Sequence, residues 1–178
     1  MTTAEYLQTP ETCLPSELAF GELRVAEAPS ASHQRVVREL LLALVADTAV
    51  SGAGEVFCAP IDVVLDFAAN LVVQPDLLFV SHSRRELVKD RIYGPPDLVV
   101  EVFSSRPPIG DLDTRIGWFA KYGVRECWLA GLAEKQIVVL SLNSRRGVIG
   151  RTAFTGSQPL ASQVLPNTRV TAFATFGC

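Results

Sequence analysis

Two carboxylates interrupt stretches that would otherwise read as continuous core strands. Asp76 lies within VVQPDLLFV, residues 72–80, and Glu101 within DLVVEVF, residues 97–103. Burying a carboxylate costs several kcal/mol unless something compensates it. A divalent cation is one compensator, and a paired arginine is another. Asp97 is the nearer acid in sequence, but four strand residues span about 13 Å. That is too far for Asp97 and Glu101 to share an ion at ligand distances of about 2.0–2.6 Å. Neighbouring strands lie only about 4.8 Å apart. The partner of Glu101 is therefore expected on the next strand, at Asp76, with Asp97 capping the strand entrance.

Three further groups can complete a site. His33 opens a predicted helix, where the positive end of the dipole disfavours a charged ring; it reads as a neutral ligand or proton acceptor, or as a polar residue at the edge of the core. Glu22 follows Gly21 and reads as a solvated turn carboxylate or a further site acid. Asp62 shares a strand face with Val64 and Asp66, as a third acid or a sheet-edge residue. Arg115 lies four residues after Asp111. It either forms a surface ion pair with that residue or reaches across the sheet end to Asp76 and Glu101.

The elements that must position these groups follow from periodicity. Residues 18–25 read as a strand pair, or as one strand interrupted near Gly21. From His33, the residues Val36, Val37, Leu40, Leu41, Leu44 and Val45 form one helical stripe, with Ser30 or Ser32 as cap. Residues 55–66 read as a long strand bent near Pro60. Residues 72–80 and 97–103 read as strands buried on both faces, and residues 104–108 break the second. Asp111 caps a helix running to Tyr122, stopped by Gly123. Residues 126–130 and 135–142 form a hairpin, with a last strand over 148–155. The uncharged hairpin near 137–142 leaves an edge needing cover, to be supplied by the tail over 155–178 or by a second subunit.

Composition agrees with a single domain over residues 1–178, with a core over about 17–142. The 178 residues are 48% hydrophobic, enough for a sizeable core, and the net charge of −3 gives no overall basic field for nucleic acid. Four scattered cysteines (Cys13, Cys58, Cys127, Cys178) show no metal spacing, which predicts a reducing cytoplasm. No apolar run predicts a membrane span or signal peptide.

The order and spacing of these residues resemble the PD-(D/E)xK restriction-endonuclease-like superfamily. More closely, they resemble the Uma-two family of nucleases. The segments that carry the resemblance are 21–23, 29–30, 33–35, 59–63, 74–77, 96–102 and 122–128, spanning most of the chain. The resemblance implies an α/β fold with a central mixed β-sheet flanked by helices. It also implies a cytoplasmic protein, a Mg²⁺-type ion held by Asp76 and Glu101, and often a homodimer. The sequence departs from the signature at the lysine two residues after the second acid, where Phe103 stands. The close family's lysine on the following helix corresponds to Arg115. Arginine stays protonated, so it can clamp a phosphate but cannot serve as a base.

The mechanism these residues predict is Mg²⁺- or Mn²⁺-dependent hydrolysis of DNA phosphodiester bonds. Asp76, Glu101 and the Val102 carbonyl would hold the ion. Arg115 would bind phosphate, and His33 or Glu22 would orient water. Two alternatives stand beside it. One is a catalytically impaired nuclease-fold binding or assembly protein in which Arg115 replaces the metal; the other is a small-phosphoester hydrolase.

Overall fold

The computed structural model describes residues 1–10, 14–103 and 111–177. In chain order they form α1 (Thr3–Tyr6), β1 (Ser16–Ala19), β2 (Glu22–Val25), α2 (Ala31–Ser51), β3 (Gly54–Cys58), β4 (Val63–Asp66), β5 (Leu71–Val73), β6 (Leu77–Ser81), β7 (Ile92–Tyr93), β8 (Leu98–Phe103), α3 (Leu112–Tyr122), β9 (Glu126–Gly131), β10 (Gln136–Asn143), β11 (Gly147–Phe154) and α4 (Ala172–Phe176). A 3₁₀ segment, His82–Leu87, sits between β6 and β7. The strands build two mixed sheets rather than one. Their orders are β2-β1-β5-β4-β7 and β11-β10-β9-β8-β6-β3.

Two prolines divide what alternation alone joins. Proline has no N–H to give a ladder and has a fixed φ. The stretch over 72–80 is therefore split at Gln74-Pro75-Asp76 into β5, in the five-stranded sheet, and β6, in the six-stranded one. The stretch over 55–66 is split in the same way into β3 and β4, around a cis Ala59–Pro60 peptide. The two sheets are thus joined twice, and Asp76 stands at one of the joints.

The helices cover opposite faces of the six-stranded sheet. Val36, Leu40 and Leu44 of α2 pack on Leu77, Phe79, Val100 and Trp128. Ile116, Phe119 and Ala120 of α3 pack on Leu78, Val99, Cys127 and Leu129. Ser30 caps α2 by accepting from the His33 N–H, and Gly52 ends it at φ 60°. Asp111 caps α3 through the N–H groups of Asp113 and Thr114, and Gly123 closes it at φ 100°. Both stops use the left-handed conformation that glycine adopts without a Cβ clash.

The tail covers a face, not an edge. Leu160, Leu165 and Val170 join the α2-side core. Two carboxylates hold this segment: Glu126 accepts from Ser162 Oγ at 2.5 Å and Gln163 N at 2.8 Å, and Asp47 accepts from Thr168 Oγ1 and from Arg169. The expected open edge at 137–142 is also displaced, because β10 is internal, paired on both sides by β9 and β11. β11 is the edge, with Val148 and Ile149 about half exposed. The strand-breaking segment 104–108, Cys13 and Cys178 lie outside the described residues. Cys58 and Cys127 are free thiols.

Candidate functional site

β6 and β8 are antiparallel neighbours with Leu77 opposite Val100. One residue further along that register, Asp76 comes beside Glu101. Asp76 lies just ahead of β6, so its carboxylate turns back onto the neighbouring strand and accepts the Val102 N–H through Oδ2 at 2.7 Å. The same oxygen is 3.3 Å from His33 Nε2. Asp76 Oδ1 takes no hydrogen bond among the described residues. His33 arrives from the first turn of α2, and its Nδ1 is buried without a partner.

Glu101 shares its strand face with Val99, on the side of the six-stranded sheet where α3 packs. Arg115, one turn into α3, donates through Nε to Glu101 Oε1 at 2.8 Å and through Nη1 to Glu17 Oε2 at 2.5 Å. Its guanidinium also lies 5.3 Å from the ring centre of Phe119, one turn further along the same helix. Asp111 gives Arg115 no side-chain contact, being occupied with the helix cap. The surface-pair reading of Arg115 therefore fails: the side chain is only 8% exposed. Glu17, on β1, accepts a second bond from the Gln74 N–H at 2.6 Å. Both Glu17 oxygens are thus used, while Glu101 Oε2 carries no hydrogen bond among the described residues.

These contacts shift the protonation of the group. Burial pushes the Glu101 carboxyl up to about 8; Arg115 works against this, and Asp76 and Glu17 reinforce it. The Arg115 guanidinium is raised: burial opposes its charge, but Glu101 and Glu17 outweigh burial. His33 is raised as well. Burial disfavours the charged ring, and the hydrogen bond and charge of Asp76, with the Val102 carbonyl and Glu101, prevail. The carboxylate at contact distance thus opposes the preference for a neutral ring that burial and the helix dipole impose.

A cavity of about 660 Å³ joins these groups; Glu17, His33, Asp76, Glu101, Val102 and Arg115 all line it. Glu22 does not: its side chain is 69% exposed and pairs with Arg24 at 2.9 Å. Asp62 is also elsewhere, accepting from Tyr6 Oη, Gln74 Nε2 and Arg91 Nε. Asp97 holds the strand entrance as expected, accepting the Ser81 N–H and pairing with Arg125. Glu17 is the member that sequence reasoning missed. It lies in a four-residue strand, Ser16–Ala19, whose residues are all buried in the structure but which is too short to show a period in the sequence.

Among the described residues, no three His, Cys, Asp or Glu side chains converge on a ready metal position. That excludes a closed cage of the zinc type there, but a magnesium-type ion asks for less. It takes one or two carboxylates and keeps several waters. Asp76 Oδ1 and Glu101 Oε2 take no hydrogen bond among the described residues, and Val102 lies at the same cavity. Charge points the same way: among the described residues, Glu17, Glu27, Asp76 and Glu101 face the cavity with one arginine and one histidine. The donor set fits a hard divalent cation.

A solved structure with the same architecture is that of a nuclease described as "putative", belonging to DUF820, from Anabaena variabilis ATCC 29413. It matches at a TM-score of 0.81 and 16% identity, over 99% of this chain and 98% of that one. The fold is thus α/β and restriction-endonuclease-like, two mixed sheets flanked by helices. Residues 3–173 match the model of the Uma2 family, described as "Putative restriction endonuclease", and the chain belongs to that family. No curated protein matches the sequence. No helix among the described residues is long and apolar enough to cross a membrane.

Proposed function

We propose that the protein is a divalent-metal-dependent endonuclease that hydrolyses DNA phosphodiester bonds. The observation that carries this reading is the surplus of carboxylate over cation among the described residues of one cavity, where an oxygen of Asp76 and an oxygen of Glu101 take no hydrogen bond from those residues. Asp76, Glu101 and the Val102 carbonyl would hold Mg²⁺ or Mn²⁺. When bound, the ion would lower the pKa of a water and offset the charge of the scissile phosphate. The chain's own groups do the rest. His33 holds Asp76 Oδ2 through Nε2 at 3.3 Å, an outer-sphere contact that would orient the ligand carboxylate. Arg115 keeps its charge throughout and lines the wall against which a phosphate would rest. A homodimer through the β11 edge belongs to the same proposal, and sedimentation at micromolar concentration tests it.

The test is cleavage of single- and double-stranded DNA in Mg²⁺ and in Mn²⁺, with Asp76→Ala and Glu101→Ala beside wild type. Loss of cleavage in both variants, together with loss of Mn²⁺ binding by calorimetry, is expected. Wild-type rates or unchanged Mn²⁺ affinity in Asp76→Ala would sink the assignment.

One observation favours a second reading. Arg115 stands where the family's lysine is expected and bonds Glu101 directly. In that reading the arginine replaces the metal, and the protein is a catalytically impaired binding or assembly module. It predicts no Mn²⁺ binding by wild type and no cleavage in either metal. DNA left intact while a small phosphodiester is turned over would instead mark a small-phosphoester hydrolase, for which a cavity of this size is adequate.

A further inference from the structure

We propose that Glu17 is a positioning residue for the cation site: by holding one arm of Arg115, it keeps the arginine from occupying both oxygens of Glu101. The inference rests on the metal-binding reading above and assigns a role to a residue outside the donor set. An arginine facing a lone carboxylate settles as a fork, with two parallel N–H donors on two oxygens. Arg115 does not do this. It spends Nε on Glu101 Oε1 and Nη1 on Glu17 Oε2. Because the guanidinium is planar and rigid, two anchors in different directions fix its plane, and Arg115 leaves Glu101 Oε2 free of its own donors.

Glu17 can perform this task because it is itself held. Its other oxygen accepts the Gln74 N–H at 2.6 Å. The Gln74 side chain is fixed at both ends, accepting the Ser16 N–H at 3.3 Å and donating to Asp62 at 2.9 Å. Asp62 is anchored in turn by Arg91 at 3.0 Å. The chain of contacts runs from Arg91 and Asp62, through Gln74 and then Glu17 of the five-stranded sheet, to the arginine of α3, a helix that shares one core with that sheet. Without Glu17, Arg115 is left with Glu101 alone, and the arginine-for-metal arrangement becomes the favoured one.

Calorimetric titration with Mn²⁺ of wild type, Glu17→Gln, Glu17→Gln/Arg115→Gln and Glu27→Gln tests this, with thermal melts run alongside. Glu17→Gln is expected to weaken Mn²⁺ binding about 10- to 100-fold, the scale of lost outer-sphere support. The double variant is expected to bind at least as tightly as wild type, since no arginine remains to compete. Glu27→Gln removes another cavity carboxylate without touching Arg115, and is expected to change affinity less than about threefold. A role in stability alone predicts weak binding in the double variant too, and that result overturns the proposal. So does a Glu27→Gln loss equal to that of Glu17→Gln, which would mean plain charge. If Glu17→Gln fails to fold, the double variant against wild type still decides. Wild type that binds no Mn²⁺ removes the metal reading and this role together. Asp76-dependent binding that Glu17→Gln leaves intact removes this role alone.

Discussion

Glu101 and Glu126 are buried carboxylates on adjacent parallel strands, β8 and β9, and their surroundings are opposites. Glu126 is enclosed completely and accepts three bonds from neutral donors: Trp128 Nε1 at 2.7 Å, Ser162 Oγ and the Gln163 N–H. No other carboxylate bonds into that group. Among the described residues Glu101 has one donor, Arg115, which it shares with Glu17, and it faces Asp76 as well. A carboxylate given enough donors is a structural joint. One given too few, among like charges, is poised to take a cation or a proton. Residue type and burial do not distinguish the two; the donors around them do.

The comparison breaks most visibly at Glu126. Glu126→Ala leaves three buried donors without an acceptor and should cost about 3–5 kcal/mol in denaturant unfolding, with Mn²⁺ affinity unchanged in whatever fraction folds. Glu101→Gln should do the reverse, abolishing Mn²⁺ binding while relieving the fold. The sign follows from linkage. The folded carboxyl at about 8 holds its proton across a window, from 4.5 upward, in which the unfolded chain has lost it. The group's contribution to stability therefore falls as pH rises from about 4.5 to about 8, and is flat on either side. Glu101→Gln and wild type should match at pH 4.5, and the variant should gain on the order of 1–3 kcal/mol by pH 9 in metal-free buffer.

A smaller effect sharpens the same contrast. Mn²⁺ binding at pH 7 should release about one proton, read from heats in buffers of different ionisation enthalpy, because a ligand carboxyl must deprotonate first. No release would mean that Glu101 is already ionised. The smallest effect belongs to the exposed carboxylate Glu22. Glu22→Gln should change stability by under about 0.5 kcal/mol and leave Mn²⁺ affinity alone.

The juxtaposition of Asp76 and Glu101 was legible because it needed only strand spacing: Asp97 was too far along its own strand, and the next strand was near. Alternation grouped Glu101 with Val99 and Phe103 on one face, but it did not say which helix would cover that face. Arg115 could be flagged but not placed, since its spacing from Asp111 suits a surface pair equally well. Glu17 was hidden for a stronger reason. Its partner lies 98 residues away, and β1 is too short for a period to show. Attention fell instead on Glu22, beside a glycine, which the structure leaves in solvent. The split at Pro75 was written in the sequence, but an apolar run on both sides of a proline reads as one strand unless the missing N–H is counted.

The contacts of Glu126 also set an order of events during synthesis. The strand that carries it leaves the ribosome well before Ser162 and Gln163, 36 and 37 residues later. Until those residues arrive, Glu126 has only the Trp128 indole, and the apolar patch that Leu160, Leu165 and Val170 will cover stays open. At about 5–20 residues per second that interval lasts seconds. A nascent chain halted near residue 155 should therefore present a sticky, half-finished face to chaperones. One extended past residue 170 should not.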